Sequence, residues 1–270
     1  MKRREFLVGS AAALSTSLAS PGQGRAEDGA GKTLLELRTY RFASTAKRDA
    51  FAAFQAKTGV PAFGRAGVGL VGVFQLLPAD NPDLKADGEH LDMNLWVLLP
   101  HKSAESFLLL PRRLGADRTL REEGAVMFDA PKSDPAFVRF EDTLLLAFDA
   151  APKVEVPTRA PGRLLQLRIY ESHSAGRALK KIEMFNEGGE IAIFRRCGMT
   201  PVFFGQTLAG SRLPNLHYML AFEDKAAMDK AWGTFRSDPA WIKLKDDPAY
   251  QDTVSNVTNL VLRPTAASEI

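Results

Sequence analysis

One alternating pattern of apolar and polar residues occurs twice in this chain. The first copy, at residues 34–40, reads LLELRTY, and the second copy, at residues 164–170, reads LLQLRIY. Alternation at every second residue is typical of a β-strand with one face on a core. Two strands that share one pattern suggest that the chain contains two copies of one structural unit.

The segments that follow the two opening strands have the same order in both halves. Each half continues with a helical stripe, two further strands, a second helix and a last strand, and the peptide SDPAF at 133–137 corresponds to SDPAW at 237–241. The order βαββαβ is that of a ferredoxin-like unit. We therefore predict an α+β fold with ferredoxin-like units at 33–150 and 163–264, joined by a linker at 151–162 that is rich in proline.

Residues that cap helices mark several helix starts. Ser44, Ser103 and Asp224 each precede a segment with helical spacing and are predicted N-caps. Pro111 is expected to interrupt the helix that follows Ser103, because proline lacks the N–H that a helix interior needs. The Asp-Pro pair at 134–135 is expected to start a short helical turn.

The first 26 residues have the layout of an export signal. The twin-arginine pattern RREFL at 3–7 is followed by a mild apolar stretch, and Gly-Arg-Ala at 24–26 provides a small-residue cleavage site. We expect a twin-arginine signal peptide at 1–26, export through that route and a periplasmic location.

The signal segment also accounts for the net charge of the chain. Lys2, Arg3, Arg4 and Arg25 against Glu5 equal the whole formal charge of +3. The remaining chain is close to neutral, so the composition gives no reason to expect a nucleic-acid partner or binding to anionic lipid. No apolar run reaches the ~18 residues of a membrane span, so no membrane insertion is predicted after signal removal.

Few sequence motifs point to a metal or to a known catalytic chemistry. Cys197 is the only cysteine, which excludes an intramolecular disulfide, and we interpret it as a small buried residue at a helix end, its role otherwise open. No His, Asp and Glu residues have metal-ligand spacing, and we predict no metal and no cofactor. A haem ligand is left open, since one histidine suffices. The signatures of serine hydrolases, P-loops and dinucleotide-binding folds are not present.

The second half resembles the NIPSNAP family. The residues that carry the resemblance are the R-x-Y of the opening strand, the run DKAAM at 224–228, Trp232, Phe235 and the peptide 237–241. The similarity covers about 100 residues. The first half is more divergent, with a longer loop at 78–89 and an additional stretch at 112–123.

The resemblance implies a dimeric α+β barrel, in which two ferredoxin-like sheets face each other. Here both sheets would come from one chain, and further association into a homo-oligomer is left open. Relatives of this fold include small monooxygenases that need no cofactor and proteins that handle haem. A shared fold is only an indirect argument for a shared activity.

The two faces of the opening strands are predicted to have different surroundings. The apolar set is expected to meet the helices and comprises Leu35, Leu37, Leu165, Leu167 and Ile169. The polar set would then face the lumen and comprises Glu36, Arg38, Tyr40, Gln166, Arg168 and Tyr170. A buried charge needs a partner, and Glu36 is the predicted partner of Arg38 or Arg168. This surface is either an ion-paired seam between the halves or a ligand site.

The third strand of each half adds candidates for the lumen. Asn94 and Trp96 are matched with His217 and Met219, and His217 is the histidine most readily placed in a cavity. A lone histidine on a strand is more often a hydrogen-bonded structural group. The candidate ligand-binding residues are Arg38, Tyr40, Arg168, Tyr170, Trp96 and His217.

Two functions are compatible with these residues. The first is a non-catalytic module that binds a small ligand or a protein partner. The alternative is a cofactor-independent monooxygenase or isomerase acting on a small anionic or aromatic substrate in the lumen, with His217 as base and Arg168 steadying an anionic intermediate. An open lumen in which His217 and Arg168 converge would favour the enzyme. The sequence does not identify the ligand.

Overall fold

Eight antiparallel strands close into one barrel in the described part of the chain, which is residues 31–84 and 91–270 of a computed structural model. The predicted signal peptide at 1–26 lies outside these residues. The strands are β1 (Leu34–Arg41), β2 (Gly72–Leu76), β3 (Asn94–His101), β4 (Arg139–Ala147), β5 (Leu164–Glu171), β6 (Thr200–Ala209), β7 (Asn215–Phe222) and β8 (Asn256–Pro264).

Helices cover the outside of the barrel. They are α1 (Thr45–Phe54), α2 (Val60–Arg65), α3 (Ala104–Ala116), α4 (Arg118–Glu123), α5 (Ala125–Phe128), α6 (Ala175–Phe185), α7 (Glu190–Arg196), α8 (Lys225–Ser237) and α9 (Pro239–Lys245). A π-helical turn at Gln55–Gly59 joins α1 to α2. None of the described helices is long and apolar enough to cross a membrane.

The strand order shows how two units share one barrel. The order around the barrel is β1-β3-β2-β8-β5-β7-β6-β4. Each half supplies four neighbouring strands in the ferredoxin-like order 4-1-3-2, and the edge strands of one half pair with those of the other, β2 with β8 and β4 with β6. Closure leaves no unpaired sheet edge. The predicted fold class, two βαββαβ units in one intrachain α+β barrel, is confirmed.

Most predicted helix starts are confirmed, and two predictions about proline are wrong. Ser44, Ser103 and Asp224 are N-caps whose side chains accept a backbone N–H of the first turn. Pro111 lies inside α3 without breaking it. The fully buried Leu110 beside it packs α3 into the core between the helices and the sheet, and this packing compensates for the hydrogen bond that proline cannot make. Asp134 lies in a bend and Pro135 in irregular backbone, so the Asp-Pro pair does not start a helix.

The apolar face of the opening strands points into the lumen, which is opposite to the prediction. One core cluster contains residues from all eight strands, among them Leu35, Leu37, Leu165 and Leu167, and no helical residue, so it fills the barrel. The other two clusters join the outer face of the sheet to the helices. Both faces of the wall are buried, so alternation alone cannot distinguish them, and the lumen of an eight-stranded barrel is narrow enough to be filled by leucine-sized side chains.

Candidate functional site

The six predicted ligand-binding residues fall into two separate places. The two Arg-x-Tyr pairs of the opening strands lie under the helices, whereas Trp96 and His217 line the lumen. Arg168 pairs in register with Tyr218, the neighbour of His217, so the Arg168 and His217 side chains lie on opposite faces of the sheet. His217 and Arg168 therefore do not converge on one site, and they cannot act together as the predicted base and anion contact.

A buried hydrogen-bonded chain occupies the outer face of the N-terminal half. Arg38 Nε donates to Glu36 Oε1, as predicted for this pair, and Glu36 Oε2 lies 2.8 Å from His101 Nε2. His101 Nδ1 lies 3.1 Å from Ser106 Oγ. Burial alone would raise the pKa of Glu36, but the hydrogen bond to His101 and the charge of Arg38 lower it overall. The ionised carboxylate of Glu36 accepts from His101 Nε2.

This Ser-His-Glu chain positions Glu36 rather than activating a nucleophile. Ser106 lies in the first turn of α3, where its backbone N–H donates to Ser103 Oγ at 3.2 Å. All three side chains are buried, and the ring of His101 packs edge-on against Phe107 at 5.6 Å. A nucleophilic hydroxyl needs access to substrate, which the burial of Ser106 does not give.

Arg38 is the central cation of the N-terminal half. Its guanidinium lies 5.8 Å from the ring centre of Phe63 and 5.5 Å from that of Phe140, and its Nη1 lies 3.4 Å from the hydroxyl of Tyr40. Asp142, its register neighbour on β4, has an oxygen 3.4 Å from Nε. Burial raises the pKa of Asp142 to about 6; Arg38 opposes this shift, and the nearby Glu36 adds to it.

A pocket of about 240 Å³ opens beside Arg38, between the sheet and the helices. Half of its lining residues are aromatic, and the lining consists of Arg38, Tyr40, Phe51, Phe54, Gln55, Gly59, Phe63, Leu114, Leu120, Met127, Phe128 and Phe137. Gln55 is buried, and its Oε1 has no hydrogen-bond partner among the described residues. The π-helical turn places Gln55 across Gly59, where an added Cβ would lie 2.2 Å from Oε1. Short π-helical segments often occur at functional sites.

The equivalent place in the C-terminal half is filled by side chains. The guanidinium of Arg168 lies 5.2 Å from the ring centre of Tyr170 and 4.9 Å from that of Trp232. Trp232 Nε1 donates to Gln166 Oε1 at 2.7 Å, and the hydroxyls of Tyr170 and Tyr218 are 2.9 Å apart. Arg168 Nε is buried without a hydrogen-bond partner among the described residues.

A buried ion pair lies beneath the same aromatic cluster. Lys181 Nζ donates to Glu190 Oε2 at 2.7 Å and lies 4.5 Å from the ring centre of Phe185. Burial raises the pKa of Glu190, although the charge of Lys181 opposes this shift. This ion pair joins α6, which carries Lys181, to α7, which carries Glu190.

The lumen contains a second cavity, of about 440 Å³. His217 lines it, and its Nδ1 lies 3.0 Å from Thr207 Oγ1. Burial and, to a smaller extent, the positive charge of Arg212 lower the pKa of His217 to about 3, so the ring is neutral at physiological pH. Trp96 lines the same cavity. In register, Trp96 pairs with Thr39 as His217 pairs with Ile169, so Trp96, rather than Asn94, is the counterpart of His217.

Several residues of these sites were missed by the sequence analysis. Gln55, His101, Ser106 and Asp142 carried no motif. Asp142 was accessible in principle, because it lies on the last strand of the first half, where it pairs in register with Arg38. The described residues contain no group of three or more His, Cys, Asp or Glu side chains that could hold a metal ion.

Comparison with known proteins identifies a family for part of the chain. Residues 165–269 match the family model described as NIPSNAP. An uncharacterised NIPSNAP-like domain protein from Burkholderia xenovorans is 21% identical over 40% of this chain and 90% of its own, with a TM-score of 0.37. None of the curated proteins compared with the chain matches it.

Two solved structures match nearly the whole barrel. A Fusobacterium nucleatum protein provisionally named a monooxygenase has a TM-score of 0.56 over 87% of this chain and 93% of its own, with 8% identity. A Lactobacillus acidophilus protein with the same provisional name has a TM-score of 0.54 over 86% and 94%, with 9% identity. At such identities the similarity shows the fold alone.

Proposed function

We propose that this protein binds a small, neutral aromatic molecule in the helix–sheet pocket of its N-terminal half. The observation that carries the proposal is an aromatic-lined pocket of about 240 Å³ whose lining includes both Arg38 and Gln55, and Gln55 Oε1 has no hydrogen-bond partner among the described residues. Ligand pockets are typically apolar with a few placed polar groups, and drug-sized ligands occupy ~300 Å³ or more. The volume therefore suits a ligand with one or two rings.

The polar groups of the pocket define what the ligand must carry. A guanidinium has five N–H donors, and those of Arg38 exceed its contacts with Glu36, Tyr40 and Asp142. Gln55 Oε1 needs a donor, because a buried acceptor without one costs ~1–3 kcal/mol. A ring hydroxyl satisfies both requirements, since its oxygen accepts from Arg38 and its hydrogen is donated to Gln55.

The charge balance favours a neutral ligand over an anion. Arg38 is already paired with Glu36 and lies 3.4 Å from Asp142, so one cation faces two carboxyl groups. An added carboxylate would meet this negative charge inside a poorly solvated pocket. A phenol or naphthol avoids that repulsion and still stacks on the aromatic lining.

One observation favours a catalytic version of this site. Asp142 has a pKa of about 6 and lies beside Arg38, which is the pairing of a base near neutrality with a cation that an oxygenase or isomerase acting on a phenol would use. In this second candidate function, Asp142 and Arg38 replace His217 and Arg168 in the roles of base and anion contact. Turnover of a bound phenol, with loss of turnover but not of binding in Asp142→Asn, would support it.

The test of the binding proposal is a titration with 2-naphthol and with 2-methoxynaphthalene, which lacks the hydroxyl hydrogen. We expect 2-naphthol to bind more tightly, and Gln55→Leu to reduce that preference about five- to tenfold, because Oε1 accepts the hydrogen only from the naphthol. Leu114→Trp should fill the pocket and weaken 2-naphthol binding at least tenfold.

The matched control is Leu108→Trp, which adds the same ring to the exposed face of the same helix, where Leu108 is 71% exposed. This variant should bind 2-naphthol as the unmodified protein does. The proposal is wrong if neither probe binds, or if Leu114→Trp and Leu108→Trp bind 2-naphthol equally well.

A further inference from the structure

We propose that the barrel lumen is a second ligand site, which takes a neutral aromatic molecule whose hydroxyl group donates to His217 Nε2 and whose ring lies against Trp96. The site is separate from the helix–sheet pocket, because the two cavities share no lining residue and lie on opposite faces of the barrel wall. It has a volume of about 440 Å³, which is in the range of ordinary ligand pockets.

The cavity is open at one end and apolar further in. Glu141 and Arg212 line it with side chains that are 49% and 53% exposed, so this end reaches solvent. Leu37, Leu167 and Leu260 form the deeper wall, beyond which the lumen is closed by packed side chains. An eight-stranded barrel has room for one small ligand in such a space.

A chain of hydrogen bonds fixes which nitrogen of His217 is free. The Asn215 amide donates to the carbonyl oxygens of Ser211 and Arg212, at 2.9 and 2.8 Å, so its Oδ1 is an acceptor. Thr207 Oγ1 lies 2.5 Å from that Oδ1 and must donate to it. The hydroxyl oxygen of Thr207 can then only accept from His217 Nδ1, at 3.0 Å. Nε2 is left as an unprotonated acceptor, and it has no partner among the described residues.

A second polar side chain in the cavity also lacks a partner. Asn94 is 5% exposed, as is His217, and within residues 31–84 and 91–270 its amide makes no hydrogen bond. Asn94 and Trp96 lie on β3, which is separated from β7 by three strands in either direction around the barrel. Polar groups on opposite walls therefore remain available to a molecule between them, and buried polar groups are rarely left unsatisfied.

The charges around the cavity favour a neutral ligand. Arg212 lies 3.4 Å from Glu171, and Arg41 lies 3.5 Å from Glu141, so the cations at the open end have acidic neighbours. Deeper in, the lining side chains are apolar or polar without charge, and His217 is neutral. An ion would lose its hydration there without gaining a counter-charge. A phenol keeps its hydroxyl hydrogen and provides the donor that Nε2 requires.

The experiment compares 4-hydroxybiphenyl with 4-methoxybiphenyl by calorimetric titration in the Leu114→Trp background, in which the helix–sheet pocket is filled. We expect 4-hydroxybiphenyl to bind at least fivefold more tightly. His217→Phe should reduce this ratio to about one while 4-methoxybiphenyl still binds. His217→Gln, which retains an acceptor oxygen, should keep part of the preference. Leu260→Trp should abolish binding of both probes, because it occupies the cavity.

Three results would overturn the proposal. These are no binding of either biphenyl in the Leu114→Trp background, an unchanged ratio in His217→Phe, and undiminished binding in Leu260→Trp. Failure of the naphthol test together with success of the biphenyl test would reject the helix–sheet pocket and keep the lumen site. Circular dichroism of each variant shows whether it is folded, and the ratio of two probes on one variant does not depend on the folded fraction.

Discussion

The two halves place the same arginine under their helices but surround it differently. At equivalent register positions, the N-terminal half has Glu36 and Asp142, whereas the C-terminal half has Gln166 and Asn259. Glu36 corresponds to Gln166 and Asp142 to Asn259, so each carboxylate of the N-terminal half is matched by an amide of nearly the same shape in the C-terminal half. The N-terminal half therefore has a titratable cluster where the C-terminal half has a neutral hydrogen-bonded one, in which Gln166 donates to Asn259 at 2.8 Å.

The aromatic residues differ in the complementary way. Phe204 and Tyr218 are neighbours on β6 and β7 of the C-terminal half, and their rings stack at 4.8 Å. The corresponding pair on β2 and β3 of the N-terminal half is Val73 and Val97. The two valines belong to the core cluster that also contains Tyr40, Phe51 and Phe63, and these three residues line the helix–sheet pocket. The C-terminal half is filled by its own side chains, whereas the N-terminal half contains a pocket.

This difference limits what the family match can say about function. The family model covers residues 165–269, which is the filled half, while the helix–sheet pocket lies in the half that it does not cover. Properties transferred from that family would concern the part of this protein that is occupied by its own side chains. The pocket must be tested on this chain.

The largest effect is expected from the buried ion pair that supports the filled half. Glu190→Ala should lower the free energy of unfolding by ~3–5 kcal/mol, because it leaves the ammonium of Lys181 buried without a counter-charge. Urea unfolding followed by circular dichroism measures this change. The double variant Lys181→Met/Glu190→Leu should recover most of the loss, since it removes both charges and keeps the volume.

The matched control is the exposed pair of Arg118 and Glu122 in the other half, whose side chains are 87% and 61% exposed. Glu122→Ala should cost less than ~0.5 kcal/mol. Equal losses in Glu190→Ala and Glu122→Ala would show that the buried pair does not stabilise the filled half, and that the contrast between the halves is not one of stability.

An intermediate effect on stability is expected in the lumen. Here the titratable residue belongs to the C-terminal half, and the aromatic residue belongs to the N-terminal half. His217 of the C-terminal half and Trp96 of the N-terminal half line the same cavity. The pKa of His217, about 3, lies below the ordinary value for histidine. The unfolded chain therefore takes up a proton below about pH 6.5, while the native protein does not until about pH 3. As the pH falls through this window, the free energy of unfolding should decrease by up to ~1.4 kcal/mol per pH unit.

His217→Gln should lack this slope, so the difference in free energy of unfolding between the unmodified protein and the variant should change with pH, as measured by urea unfolding at several pH values between 4 and 7. His173→Gln is the control, because the side chain of His173 is 44% exposed and lies outside the barrel core. A slope that is the same in both variants would mean that His217 takes up its proton at the same pH in the native and the unfolded protein, and the lumen site would then lose its acceptor below about pH 6.5.

The sequence was sufficient to predict the architecture because the repeat is encoded in local patterns. The alternation at 34–40 and 164–170 and the capping residues Ser44, Ser103 and Asp224 act within one element, and each is found in the structure. These signals do not depend on how the elements pack.

The site was less predictable because it depends on which face of a strand the helices cover. The pattern at Glu36 and Arg38 correctly gave an ion pair, but both faces of a barrel wall are buried, and the polar face was assigned to the lumen. The aromatic contrast between Val97 and Tyr218 becomes visible only when the two halves are aligned by strand register. No motif marks the loss of a ring.

The smallest effect would test the exchange of carboxylate for amide directly. The pKa of Asp142 is raised to about 6, so the native protein holds a proton that the unfolded chain releases near pH 4, and stability should fall as the pH rises through that interval. Because the Asp142 side chain is 38% exposed, solvent screens the effect, and we expect no more than ~1 kcal/mol.

Asp142→Asn should remove this loss and make the N-terminal cluster resemble its counterpart. Asn259→Asp is the reciprocal variant; since Gln166 brings no negative charge, its new carboxyl should titrate closer to the ordinary value. If the pH profile of unfolding is the same for Asp142→Asn as for the unmodified protein, the pKa of Asp142 is not raised in the native protein, and the two halves differ in shape but not in electrostatics at this position.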